Sequence, residues 1–315
     1  MLEEKNNLHP RNKHRSPYDF RQLVKVCPEL ERFVGLNAYD NLSVDFADPQ
    51  AVKTLNKALL KFFYDIDGWD IPPGYLCPAI PGRADYIHYI ADLLASSNNG
   101  VVPRNGIRVL DVGAGANCVY PLIGNREYGW EFTGSDIDPL ALRYARKTLD
   151  QNPSLKDAVE LRLQKDPMLV FRGIIAPGEV FDVSICNPPF HFSAESADAG
   201  ALKKIMNLND KKNVQPVRNF AGKNNELWCE GGEASFIYRM AMESAEIRTS
   251  FLWFTTLVSN KDNLAGVYKT LKKVEAAEVR TIGMSQGQKK SRMVAWTFLD
   301  ADEQKEWRAK RNWSN

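Results

Sequence analysis

From about residue 106 onward, apolar residues fall into short runs separated by amphipathic stretches. Ile107-Arg108-Val109-Leu110-Asp111-Val112 is nearly all apolar and stops at Gly113, the pattern of a strand buried on both faces. Further short strand-like runs predict strands at 130–135, 159–163, 181–186 and 251–258. Between them, helical spacing predicts helices over 138–150, 233–245 and 262–273. A strand around 277–283 and another at 293–299 close the pattern.

Alternating strands and helices imply a largely parallel sheet covered on both faces. The last two strands are joined only by the polar link SQGQKKSR, too short for a helix, so they are expected to pair antiparallel. Seven strands ending in such a hairpin describe an α/β, Rossmann-like sheet of the class I S-adenosylmethionine (SAM)-dependent methyltransferase type. Residues 1–105 read differently. HPRNKHRSPYDF is polar and proline-punctuated, and helices follow at 20–34, 49–64 and 84–95. This gives an N-terminal basic arm and helical extension, then a catalytic domain over 106–315. The segment 191–229 is too long for an ordinary βα loop and leaves the carboxyl end of a strand, where loops carry function.

Composition narrows the class without choosing a function. With 44% hydrophobic and 25% charged residues the chain has enough apolar material for a core, and no apolar run reaches the roughly 18 residues of a membrane span. MLEEKNNLHPRNKHR is too hydrophilic for a secretory signal. The five cysteines are scattered and the histidines are only four, which argues against a disulfide framework and a zinc site. A cytoplasmic, reduced, metal-free monomer is expected. The net charge of +2 hides three basic clusters. Lys203, Lys204, Lys211, Lys212, Arg218 and Lys223 face one acid, Asp210. Arg280, Lys289, Lys290 and Arg292 form the second, and Arg11, Lys13 and Arg15, with His9 and His14, the third. They suit a polyanion met on one face, or are solvated lysine-rich loops.

The turn Asp111-Val112-Gly113-Ala114-Gly115-Ala116-Asn117 follows the first predicted strand. Its glycines let the backbone approach a ligand. The third glycine of a dinucleotide fingerprint is missing, and no P-loop lysine is present. Asp136 ends the next strand, where a ribose diol needs an acceptor. Together these fit SAM, which has no phosphates, better than NAD or ATP. Asp138 competes with Asp136 but is placed to cap the helix starting at Pro139. Asp166, beyond the third strand, is a candidate for the adenine amine, or a plain surface acid. Arg83, near a helix start, is a candidate partner for the methionine carboxylate, or for a surface salt bridge.

Asn187-Pro188-Pro189-Phe190 ends the fourth strand with two residues that cannot donate a backbone hydrogen bond. Such a stiff turn presents the Asn187 amide oxygen and the Pro188 carbonyl as acceptors. A ring-conjugated amine must pyramidalise to attack a methyl donor, and positive charge then grows on nitrogen. Acceptors aimed at its two N–H groups therefore favour the transition state. Phe190 offers a face on which a flipped base stacks. The tetrapeptide alone leaves adenine N6, guanine N2 and the side-chain amide of protein glutamine all open, as well as an inactive RNA-binding relative.

LHPRNKH, SVDFADPQAVKTLNKALL, PGRADYIH, GAGANCVYPLIG, CNPPFH, ELWCEGGE and QGQKKSRMVAWTF run through nearly the whole chain. In these strings it resembles the bacterial 23S ribosomal RNA adenine-N6 methyltransferases of the large-subunit methyltransferase F family, and more distantly the methyltransferase-16-like RNA methylases. The resemblance implies SAM as cofactor, held by Arg83, Gly113, Asn117, Asp136 and a residue near Asp166. It implies an adenine pocket at Asn187 to Phe190, with Glu230-Gly231-Gly232-Glu233 shaping its wall. The basic arm, the 201–223 segment and Gln288 to Arg292 become candidates for RNA backbone contacts. One departure is Asp136, where relatives often carry glutamate; either acid can hold a ribose diol.

Overall fold

A computed structural model describes residues 7–189, 229–286, 289–311 and 313. Phe190 and the basic residues Lys203, Lys204, Lys211 and Lys212 lie outside the described residues. The N-terminal part contains α1 (Phe20–Val26), a 3₁₀ turn (Pro28–Phe33), a small hairpin of β1 (Val34–Leu36) and β2 (Leu42–Val44), α2 (Pro49–Tyr64) and α3 (Ile80–Ser96). Then come β3 (Arg108–Val112), α4 (Val119–Tyr128), β4 (Glu131–Asp136), α5 (Pro139–Asp150), α6 (Pro153–Lys156), β5 (Val159–Leu163) and β6 (Phe181–Cys186). The chain continues through α7 (Gly232–Ser244), β7 (Phe251–Val258), α8 (Leu264–Lys273), β8 (Glu278–Gln286), β9 (Lys289–Thr297) and α9 (Ala301–Lys310).

The main sheet has seven strands in the order β5-β4-β3-β6-β7-β9-β8. All neighbours are parallel except β7–β9 and β8–β9, so the terminal antiparallel hairpin is present. The strand order reverses between β3 and β6, and ligands of doubly wound sheets bind at the carboxyl ends of the strands at such a point. The two strands share the rung Val112↔Cys186, so the glycine turn and the Asn-Pro-Pro turn leave the sheet side by side. Along β3, Val109 belongs to the core on one face, while Leu110 and Val112 belong to the other, as period-two geometry requires. The first of these cores is continuous from Phe20 through α2 and α3 to Ile107 and β3, with no break near residue 105.

Several expectations need correcting. The helix expected over 20–34 breaks at Cys27, because Pro28 has no N–H to continue it. The helix expected from 84 begins at Ile80, with Pro81 in the first turn where a missing N–H costs nothing. The link SQGQKKSR is largely strand: the ladder runs out to Ser285↔Lys290 and Gln286↔Lys289. The chain also ends in α9 rather than a strand; Asp300 and Glu303 form a capping box at its start. Its Trp307 and Arg311 both reach the buried Asp182 on β6.

Candidate active site

A cavity of about 380 Å³ opens over the carboxyl ends of β3, β4 and β6. One wall is the glycine turn. Gly113 and Ala114 both donate to the carbonyl of Ser135, at 2.9 Å each, which folds the turn back over β4. Gly113 has φ +77° and Gly115 φ +66°, a region that side-chain-bearing residues avoid. A Cβ built on Gly113 meets nothing within 4 Å, so the backbone here borders open cavity. That is the cradle expected for an adenosyl ligand, and the polar groups around it match.

Asp136 faces this cavity, with one carboxylate oxygen accepting from Gly115 N and the other from Asp138 N, each at 2.8 Å. Burial pushes its pKa up, and the backbone donors work against that shift. Asp138 also lines the cavity; it caps α5 by accepting from Leu140 N and receives the Tyr75 hydroxyl. Arg83, in the first turn of α3, reaches the cavity and donates to the Tyr120 hydroxyl at 3.1 Å. Among the described residues no carboxylate pairs with it in a salt bridge. Asn117 lines the same wall, and its side chain accepts from Val119 N at the start of α4.

The opposite wall is Asn187-Pro188-Pro189, joined by Cys229, Glu230, Phe236 and Arg239 from around the start of α7. The Asn187 Oδ1 is buried and has no hydrogen-bond partner among the described residues. Nearly all buried acceptors in native proteins are satisfied, so such an orphan at a cavity wall marks a place for a donor from a ligand. Glu233 of the Glu-Gly-Gly-Glu string points away. It accepts from Ser259 N, Ser259 Oγ and Asn263 Nδ2, tying α7 to the end of β7.

Two predicted site residues stand back from the cavity. Asp111 is fully buried behind the wall, both oxygens unpartnered among the described residues, and burial together with Asp136 pushes its pKa well up. Asp166 is exposed and spends its carboxylate on Met168 N. Its neighbour Gln164 lines the cavity instead, a strand-end position that the sequence alone makes as plausible as Asp166. Tyr120, Phe236 and Arg239 were also missed. Tyr120 lies inside the quoted GAGANCVYPLIG string, and Arg239 less than two helical turns beyond the second glutamate of that acidic string.

The N-terminal arm is not a loose basic tail over its described part. His9 and His14 are buried, and Arg11 pairs with Asp92 at 2.7 Å and with the Tyr128 hydroxyl at 3.0 Å. Lys13 pairs with Glu127 at 2.8 Å, and Arg15 contacts the Pro10 carbonyl. Lys289, Lys290 and Arg292 fall on the first residues of β9, at the far end of the terminal hairpin.

The residues 2–300 match the model of a family described as RNA methyltransferase. The chain belongs to this family. It is 55% identical over 311 residues to the ribosomal RNA large subunit methyltransferase F of Serratia proteamaculans (strain 568), covering 98% of this chain and 93% of the relative. The protein of the same name from Flavobacterium johnsoniae is 55% identical over 308 residues, with 97% and 98% covered. Among solved structures, the catalytic domain of hMettl16 in complex with MAT2A 3'UTR hairpin 1 superposes with a TM-score of 0.78 at 28% identity, covering 94% of this chain and 96% of that one. The N-terminal domain of human METTL16 in complex with SAH gives 0.72 at 26% identity, with 93% and 99% covered. The family, the sheet order and the two-walled cavity agree on a class I methyltransferase. Among the described residues no helix is long and apolar enough to cross a membrane, and no cluster of three or more metal-ligating side chains occurs.

Proposed function

We propose that this RNA methyltransferase uses SAM to methylate the exocyclic N6 amine of one adenine in 23S ribosomal RNA. The observation that carries the reading is that Asn187, whose buried Oδ1 has no partner among the described residues, lines the same cavity as the glycine turn. The bound cofactor supplies a sulfonium-activated methyl group. Arg83 would hold its carboxylate, Asp136 its ribose hydroxyls, and Gly113, Gly115 and Asn117 its flank, with Gln164 in the part of the wall assigned from sequence to Asp166.

Asn187 Oδ1 and the Pro188 carbonyl accept the two N–H groups of the target amine. Both bonds strengthen as the nitrogen becomes cationic, which lowers the barrier selectively. No strong base is needed, since the amine sheds a proton to water once it carries the methyl group. Phe190 stacks the flipped base, and Arg11, Lys13, Arg15, Lys203, Lys204, Lys211, Lys212, Lys289, Lys290 and Arg292 are the pool from which phosphate contacts are drawn. Arg11 and Lys13 are the weakest members, being committed to Asp92 and Glu127. Residues 1–105 serve as an extension that covers the cofactor side and meets RNA. The enzyme works as a cytoplasmic monomer without a metal. The relatives' name, and the RNA hairpin in the hMettl16 complex, support RNA as the substrate.

The test is labelled-methyl transfer from SAM to 23S ribosomal RNA, followed by digestion to nucleosides. N6-methyladenosine is expected; N2-methylguanosine, or label in protein glutamine, would overturn the assignment.

A further inference from the structure

The pairing of β6 with β7 runs Phe181↔Phe251, Val183↔Trp253, Ser184↔Phe254 and stops there. Cys186, the residue before Asn187, is paired only on its other side, to Val112 of β3. Where the sheet opens, side-chain hydroxyls take over from the backbone. Cys186 N–H reaches the Tyr86 hydroxyl at 3.3 Å, Tyr86 Oη lies 2.7 Å from Thr255 Oγ1, and Thr255 donates to the Ser184 carbonyl at 2.8 Å. Each hydroxyl has one proton to give. Thr255 gives its proton to Ser184, so Tyr86 must give its own to Thr255 and accept from Cys186. The remaining contact, Tyr86 Oη to the Cys186 carbonyl at 3.4 Å, is too long to compete. Two hydroxyls thus replace a missing rung directly beneath the Asn-Pro-Pro turn.

We propose that Tyr86, working through Thr255, is a positioning residue that fixes the height and tilt of the Asn187-Pro188 turn for methyl transfer. The assignment rests on the reading of Asn187 as the acceptor of the target amine. It separates cleanly from packing, because the ring and the hydroxyl of Tyr86 have different neighbours. The ring stands edge-on to Tyr120, centroids 5.4 Å apart at 85°, and Tyr120 in turn receives Arg83. The hydroxyl is the group that bonds the strand end. Tyr86 is fully buried, and that burial raises its phenol pKa well above the ordinary value, so it remains a proton donor at working pH. Arg83 and Tyr86 lie one turn apart on α3, so one helix holds the cation of the cofactor wall and the support of the acceptor wall.

The experiment measures kcat and the KM for SAM on the full-length enzyme with 23S ribosomal RNA, alongside thermal unfolding. Tyr86→Phe keeps the ring and removes the hydroxyl. It is expected to lower kcat by at least about tenfold, since ångström-scale misplacement costs up to about a hundredfold, with KM for SAM within about twofold. Thr255→Ser keeps the relay and is expected to hold kcat within about twofold, whereas Thr255→Val falls with Tyr86→Phe. The double variant Tyr86→Phe/Thr255→Val leaves both the Cys186 N–H and the Ser184 carbonyl without those hydroxyls and is expected to recover neither thermal stability nor kcat. Equal kcat for Tyr86→Phe and wild type, or a loss confined to KM, would overturn the proposal. So would recovery of kcat in the double variant. If wild type methylates a base other than adenine, the adenine reading fails, and the same kcat ratios still judge Tyr86.

Discussion

Asn187→Ala sets stability against activity at a single atom. In the folded protein Asn187 Oδ1 is shut away from water without a donor among the described residues. An unmet buried acceptor costs roughly 1–3 kcal/mol. Alanine removes that cost and leaves a small gap that costs about 1 kcal/mol, so the ligand-free variant is expected to match or exceed wild type by about 1 kcal/mol. In a chain of this size that is a rise of up to about 2 °C in the unfolding midpoint. Activity moves the other way. Removing one oriented group that strengthens with transition-state charge costs about 10²–10³-fold in kcat, near 3–4 kcal/mol. Single-turnover transfer of labelled methyl gives the rate, calorimetric titration gives SAM affinity, and a thermal scan gives the midpoint. A rate within about tenfold of wild type would refute the reasoning. A midpoint lower by more than about 5 °C would also refute it, because Asn187 would then be a structural cap rather than a waiting acceptor.

The other predictions test the surrounding walls. Gly113→Ala forces φ +77° on a residue with a Cβ, at about 1–2 kcal/mol, and points that Cβ into the open cavity. Titration should find SAM affinity lower by at least about tenfold, with RNA affinity unchanged; unaltered SAM affinity would remove the glycine turn from the cofactor wall. Glu243, buried on α7, accepts the N–H groups of Val170, Phe171 and Arg172 and so holds the Leu169–Val170 stretch that lines the cavity. Denaturant unfolding of Glu243→Gln should register a loss on the order of 2–4 kcal/mol, and KM for SAM should rise; a rise in neither would show that the stretch holds itself. Asp111 has its pKa raised by burial, then by Asp136, so the unfolded chain ionises first, near its ordinary 3.8, and stability conferred by the protonated form drains away as pH rises. The stability of Asp111→Asn relative to wild type should therefore grow from about pH 4 upward; a difference independent of pH would refute the assignment.

The buried strands were legible because a parallel sheet leaves near-continuous apolar runs, and 181–186 and 251–258 end where the runs do, while the edge strand 159–163 shows instead as alternation. Helix α4 was missed since it is apolar on most sides, packed between α3 and β4, and has no strong amphipathic stripe. The hairpin β1–β2 is only three residues a strand, below the length at which alternation stands out. Of the site residues singled out from the sequence, Arg83, Asp136 and Asn187 each line the cavity. Asp166 misled because a carboxylate looks functional in a string of letters, while in space it closes a local turn on Met168 N. Charge density in sequence likewise does not reveal the acids, Asp92 and Glu127, that Arg11 and Lys13 meet across the fold.

The shared rung Val112↔Cys186 works as a ruler. The glycine turn and the Asn-Pro-Pro turn start from opposite sides of one backbone pairing, so their separation is set by the spacing of adjacent strands, about 4.8 Å. That length belongs to the peptide unit, and side chains on β3 and β6 do not set it. Drift in those side chains can therefore alter stability or the surface, while the gap between the two cavity walls keeps its size. A slip of register is the one backbone change that would reset the gap, and it would turn every buried side chain of the strand toward the wrong core.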